Sequence, residues 1–181
     1  MSRKYKFYNA EGLHFVSFAT VFWIDVFVRE AYVNIIIDSL NYCRNNKNMA
    51  LYCWCIMPSH VHLIFKANDG NPSDILRDFK THTSKQLVNA ISNNPQESRK
   101  EWLLWMFTHA GKKNSNVTHN QFWQQNNKPI ELWSADVIDQ KVNYIHNNPV
   151  VAGFVTEAHH WKYSSAIDFS GSKGMLGLDI L

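Results

Sequence analysis

Two histidines, His60 and His62, stand two residues apart in the segment MPSHVHLIF (57–65), among residues that favour extended backbone. Side chains alternate across a strand, so both imidazoles project to one face and Val61 to the other. Twice the rise per residue puts their Cβ atoms roughly 6–7 Å apart, from which two ring nitrogens can converge on one divalent ion. On affinity, neutral imidazoles suit Mn, Zn, Ni or Co better than Mg. Two ligands leave coordination positions open, as metal-assisted catalysis requires. The same pair is also readable as two histidines hydrogen-bonded on a sheet face. A third ligand and a nucleophile would separate the two readings.

The segment KVNYIHNNPVVAGFV (141–155) offers both. On a helix, Ile138, Val142 and Ile145 fall within roughly 60° of one another and form the buried stripe. Tyr144 and Asn148 are four apart, about 40° around the axis, and share a flank that Gln140 and Lys141 extend by one turn. His146 lies about 200° from Tyr144, on the other side. Asn148, with Gln140 in reserve, is therefore placed to reach an ion beside the Tyr144 phenol. A phenol ionises near pH 10 and is a poor nucleophile unaided, so it needs a nearby cation and a phosphate electrophile. Alone, Tyr144 reads first as an amphipathic residue at the core edge, and Asn147-Asn148-Pro149 is a helix stop under either reading.

The elements that must position these residues can be read along the chain. LHFVSFATV (13–21) is aromatic and β-branched and predicts a strand. Residues 29–46 repeat Val33, Ile36, Leu40 and Cys43 at helical spacing, and Asn45-Asn46 ends that helix. MALYCWCIM (49–57) and HVHLIFKA (60–67) predict strands joined by Pro58-Ser59, a tight antiparallel hairpin. Asn71-Pro72-Ser73 opens a helix to about Ser92. Asn94-Pro95 predicts another helix start, with the helix carrying WLLWMF (102–107) and stopping at Gly111. Residues 112–120 predict a loop; QFWQQ (121–125) and PIELW (129–133) predict short strands. Ser134 caps a helix that Pro149 ends. The order β-α-β-β-α-(α)-β-β-α predicts an α+β fold, a ferredoxin-like antiparallel sheet with helices packed on one face. One domain spans residues 1–170, followed by a loose tail, 171–181.

Composition narrows the function classes. The chain has 181 residues, 45% hydrophobic and 18% charged, with a net charge of +3, so any polyanion-binding footprint is local. No apolar run is long enough for a membrane span, and the basic N-terminus, Met1 to Lys6, lacks the apolar stretch of a secretory signal. Three cysteines without CxxC spacing, Cys43, Cys53 and Cys55, predict a reducing compartment, the cytoplasm. Cys53 and Cys55 share one strand face. Arg77, Lys80 and Lys85 on one helix, with Lys112, Lys113 and Lys128 on loops, are candidates for holding phosphates. Phe122, Trp123 and Trp133 are candidates for stacking on bases; a solvated charged face and core aromatics are the plainer alternatives.

MPSHVHLIF followed about eighty residues later by YIHNNPVVAGFV resembles the HUH single-tyrosine transposases of the insertion-sequence type, in particular the REP-associated tyrosine transposases. HHWKYSSA (159–166) is similar to a Tyr-Ser-Ser stretch of that branch. The resemblance covers about residues 13–166. It implies that His60 and His62 are metal ligands, that Tyr144 is the nucleophile, and that Asn148 stands where insertion-sequence relatives carry a ligating Gln. It implies a divalent metal, Mg or Mn, and single-stranded or hairpin DNA as substrate. The implied activity is metal-dependent nicking and strand transfer through a 5′-phosphotyrosine, as in DNA transposition and recombination. A catalytically silent, domesticated relative that only binds hairpin DNA is the alternative. Insertion-sequence relatives are dimers with shared sites, whereas the REP-associated branch is more self-contained, so a homodimer and a monomer both remain open.

Overall fold

A computed structural model describes residues 7–114, 119–125, 127 and 129–180. Strand β1 spans His14–Ala19, and α1 follows at Glu30–Asn46. The hairpin comprises β2 (Met49–Ile56) and β3 (His60–Ala67). Helices α2 (Pro72–Asn93) and α3 (Lys100–Lys112) come next, then the short strand β4 (Ile130–Glu131). Helix α4 spans Ala135–Val151, and a single turn, α5, spans Ala166–Phe169. The sheet runs β2-β3-β1-β4 with every neighbouring pair antiparallel. The observed order follows the predicted one except that one strand, not two, stands between α3 and α4, and the strand order is that of the ferredoxin-like βαββαβ pattern.

Alternation sorts the strand residues into two layers. Val16 and Phe18, Leu51, Trp54 and Ile56, and Val61, Leu63 and Phe65 face a core shared with Val33, Ile36 and Leu40 of α1 and Leu76 and Phe79 of α2. Phe15, Cys53, Cys55 and Ile64 face the other way, against Val142 and Ile145 of α4. Helices α1 and α2 cover one face of the sheet, and α4 crosses the opposite one. A bulge lets Tyr52 slip out of register between Leu51 and Cys53. Leu51 and Trp54 therefore share a face, and Cys53 and Cys55 share the other.

Three expectations need correction. Helix α3 begins at Lys100, five residues beyond Pro95. Asn94 Oδ1 accepts the Gln96 N–H, a local turn that competes with helix, and the Glu97 carboxylate is drawn inward onto Arg29 at 2.7 Å and Arg99 at 3.2 Å. Burial opposes ionisation of Glu97, but those arginines and the Arg99 N–H hold its carboxyl below the usual range. Pro149 does not end α4 but lies inside its last turn. The helix closes at Gly153 (φ 76°), whose N–H bonds to Val150 O while the Phe154 N–H bonds to Pro149 O. Residues 121–125 contribute only an isolated bridge, Trp123 to Thr20.

The C-terminal segment does not hang free. Ser164 bridges to Cys55, the Ser165 N–H bonds to Trp54 O, and Tyr163 O accepts the Ile56 N–H, so 163–165 line the free edge of β2. Within 171–181 Leu176 is buried, and the Asp179 carboxylate accepts the Leu51 N–H at 2.8 Å. Among the described residues no helix is long and apolar enough to cross a membrane.

Candidate metal and tyrosine site

His60 and His62 leave β3 on the face that α4 crosses, with ring centroids 4.7 Å apart. In the central pair, Ser17 of β1 stands opposite His62 and Ala19 opposite His60. These small neighbours leave room above the rings. Phe15 stacks on His62 at 5.8 Å, and Trp23 stands edge-on to His60 at 5.3 Å. Ser59 Oγ lies 3.2 Å from His60 Nδ1.

Ser134 caps α4 by accepting the Val137 N–H, and Val142 and Ile145 seat the helix on the sheet. That rotation turns Tyr144 toward the histidines: its ring lies 5.4 Å from His62 and 5.9 Å from Phe15. Tyr144 is 49% exposed, so part of it is accessible to an incoming strand. Asn148, one turn on, brings its side chain beside His60, where it favours the ring's protonated form against the larger effect of burial. Keeping Pro149 inside the helix keeps Asn148 in helical register with Tyr144. The Lys141 ammonium lies 5.1 Å from the Phe15 ring and 5.5 Å from the Tyr144 ring. Among the described residues it makes no ion pair.

The donor set suits a divalent ion. His62 is 2% exposed, and both of its ring nitrogens are buried without a hydrogen-bond partner. A buried polar atom left unbonded is costly, and a metal is one partner that removes the cost. Burial, then the nearby His60 and Lys141, push the His62 imidazole down to about 3; burial also lowers His60. Both rings are therefore neutral at physiological pH, the form that ligates metal. Two neutral imidazoles and the Asn148 amide oxygen could supply part of a shell, leaving positions for substrate oxygens. A second possible ligand group, Glu157, His159 and His160, lies exposed on the turn after α4, with donor atoms within 4.8 Å of one another.

His146 points the other way, as its helical position requires. Its Nε2 lies 3.3 Å from Cys53 Sγ and 2.9 Å from Ser165 Oγ. The Tyr-Ser-Ser stretch thereby acquires a structural role, tying the back of α4 to β2.

The candidate DNA contacts fare unevenly. Arg77 is engaged by Asp74 and Asp78 at 2.5 and 3.0 Å, so its charge is already answered. Lys80 donates to Gln124 O at 2.7 Å and Asn127 Oδ1 at 2.6 Å, and burial pushes it down to about 7. It is an internal staple, contrary to the phosphate-holding role expected of it. Trp123 is 5% exposed, donates its indole N–H to Thr83 Oγ1, and stacks on Phe27, so it is core and not a platform for bases. Phe122 is core as well, while Trp133 is exposed. Lys85 lines a groove of about 900 Å³ between α2 and the 119–123 segment, on the sheet face opposite the histidines. Lys112 and Lys113 are exposed at the end of α3, and Lys128 lies outside the described residues.

Sequence reasoning missed Trp23 and Phe15, and it gave Lys141 no role. Phe15 was hidden by strand alternation, which names a face but not its neighbours. Two adjacent aromatics, Phe22-Trp23, in the connection after β1 were a legible signal, because a connection has little reason to carry both.

The sequence model of a family described as Transposase IS200 like matches residues 19–108, which include both histidines but not Tyr144. A Haemophilus influenzae protein assigned as a REP-associated tyrosine transposase is 28% identical over 118 residues, covering 61% of this chain and 55% of that protein. The chain thus matches about half of that relative's length. The solved structure of a REP-associated tyrosine transposase bound to a REP hairpin aligns over 100% of this chain and 94% of that one. The TM-score is 0.62 at 18% identity, so what the two share is the fold.

Proposed function

The chain belongs to the IS200-like transposase family, and from that premise we propose that it is a metal-dependent nicking and strand-transfer enzyme of the HUH type acting on hairpin-bearing single-stranded DNA. Tyr144 is the nucleophile. His60, His62 and Asn148 are the residues that would hold a divalent ion, Mg or Mn. The observation that carries this reading is the Tyr144 ring 5.4 Å from an imidazole whose two nitrogens are buried and unbonded, within one chain. Hairpin DNA as the ligand draws support from the structural neighbour, which is bound to a REP hairpin.

When bound, the ion would supply Lewis acidity to the non-bridging oxygens of the scissile phosphate. The chain supplies the rest. Tyr144 Oη forms a bond to phosphorus in line with the bond that breaks. The phenol gives up its proton as that bond forms, and the 3′ oxygen leaves with its electron pair and takes up a proton, giving a 3′-hydroxyl with no net change in protons. The 5′ side stays on Tyr144 as a phosphotyrosine. Phosphoester is exchanged for phosphoester, so rejoining needs no ATP. Attack by another strand's 3′-hydroxyl regenerates the phenol and completes transfer. Lys141 adds a fixed positive charge beside the phenol, which favours both developing phenolate and an approaching phosphate.

The test is incubation with hairpin oligonucleotides carrying unpaired extensions, with Mn or Mg, followed by denaturing gels. A covalent adduct is expected, lost with a chelator and with Tyr144→Phe. Retarded mobility on native gels without any adduct would replace this reading with that of a silent hairpin-binding relative.

A further inference from the structure

The connection between β1 and α1 carries two adjacent aromatic residues that the core leaves out. Phe22 and Trp23 are 50% and 57% exposed, and both have φ of 57°. For bulky L-residues that left-handed geometry is unfavourable, and it persists only where the surroundings over-determine it. Here they do. The Thr20 N–H bonds to Ser59 O at 2.9 Å, and the Thr20 hydroxyl to Ile24 O at 2.8 Å. The Val21 N–H bonds to Phe122 O, and the Phe27 N–H to Pro58 O, each at 2.8 Å. Pro58 and Ser59 form the turn that delivers His60, so the strained connection and the metal-ligand strand are braced together. Trp23 meets His60 edge-on, with its ring centroid 5.3 Å away.

Folding gains little from this arrangement, since backbone strain is accepted to hold two apolar rings in solvent. Two rings are also too small a patch for a stable protein interface, which buries about 800 Å² on each partner. A flat, sequence-tolerant ligand suits them better, and every nucleobase has such a face.

We propose that Trp23, flanked by Phe22, is a stacking platform for an unpaired nucleobase adjoining the scissile phosphate. This rests on the reading of His60, His62 and Tyr144 as a phosphoryl-transfer site. Because the indole touches His60, a base stacked on it brings its own phosphate next to the histidines. The platform thereby selects single-stranded over paired DNA at that position, since a base within a duplex has no free face.

The test uses hairpin oligonucleotides carrying 2-aminopurine, or an abasic residue, at each unpaired position in turn. At one position the wild-type protein and Trp23→Tyr are expected to quench 2-aminopurine, and Trp23→Ala is not. Trp23→Ala should bind about tenfold or more weakly, the loss typical of one base–aromatic stack. An abasic residue at that position should weaken wild type by a similar factor and leave Trp23→Ala unchanged. This arm compares substrates, so it does not depend on how well the variant folds. Equal quenching by wild type and Trp23→Ala, or equal abasic penalties in both, overturns the platform. If wild type still forms the Tyr144 adduct in that case, the reading of the site survives and only this inference is lost. If wild type neither binds nor forms an adduct, both are lost.

Discussion

Both ring nitrogens of His62 are buried and unbonded in the protein alone. Each such group destabilises a fold by about 1–3 kcal/mol, so His62 is held against the interest of stability. Folding would prefer an apolar residue there; the imidazole is what the proposed ligation would need. The prediction is a crossing of two effects in His62→Leu. Without metal the variant should melt higher than wild type, by about 2–4 °C for each kcal/mol regained in a chain of this size. With Mn in excess, wild type should gain stability by mass action and His62→Leu should not. Thermal melts with and without Mn, in a His160→Ala background to silence the exposed Glu157 group, make the comparison. An equal Mn response in both proteins would remove His62 from the ligand set.

At the scale of elements, α2 is stapled to Gln124 and Asn127 by Lys80, whose ammonium donates to Gln124 O and Asn127 Oδ1. Burial pushes this lysine down to about 7. An unfolded lysine keeps its proton up to about pH 10.4, whereas the folded one releases it near 7. Between those values the unfolded chain binds more protons, so this residue's contribution to stability rises with pH. Wild type should gain on Lys80→Met as pH is raised from 7 to 9.5, at up to about 1.4 kcal/mol per unit, in urea unfolding at each pH. A difference independent of pH would show that Lys80 is charged in the fold. The same lysine shows what the sequence could reveal. Period-two and helical spacing put His60 and His62 on one strand face and Tyr144 and Asn148 on one helix flank, as the structure has them, because those relations are local. Whether Lys80 or Trp123 faces DNA depends on which distant residues cover it, here Gln124 and Asn127 for Lys80 and Thr83 and Phe27 for Trp123, and spacing carries nothing about that. The Pro95 and Pro149 boundaries failed for a related reason. A buried Glu97 carboxylate on two arginines delayed one helix, and a glycine three residues beyond Val150 let the other run on.

Over the whole molecule, the tyrosine helix and the histidine strand are held in relation by a third party, the chain after α4. Ser165 is its joint. Its Oγ accepts the Trp54 N–H at 2.9 Å and lies 2.9 Å from His146 Nε2 and 3.5 Å from Cys53 Sγ, while its N–H bonds to Trp54 O. His146 is two residues from Tyr144 on the opposite side of α4, so this cluster sets how the helix is rotated over β3. Burial pushes the Cys53 thiol up to about 12 and the His146 imidazole down to about 4, which makes both inert as nucleophile and base and leaves them a structural role. Ser165→Ala strips a partner from Trp54 N–H and from His146 at once, at a cost of about 1–3 kcal/mol. If the joint only stabilised the fold, adduct formation well below the melting temperature would be unchanged. Because it also sets the angle of α4, the single-turnover adduct rate at saturating hairpin DNA should fall severalfold at 20 °C while hairpin affinity stays near wild type. A misplacement of about 1 Å at the nucleophile is enough for a large loss of rate. Ser165→Thr, which keeps the hydroxyl, should recover part of the rate. Wild-type single-turnover kinetics in Ser165→Ala would mean that α4 is rotated into place by Val142 and Ile145 alone.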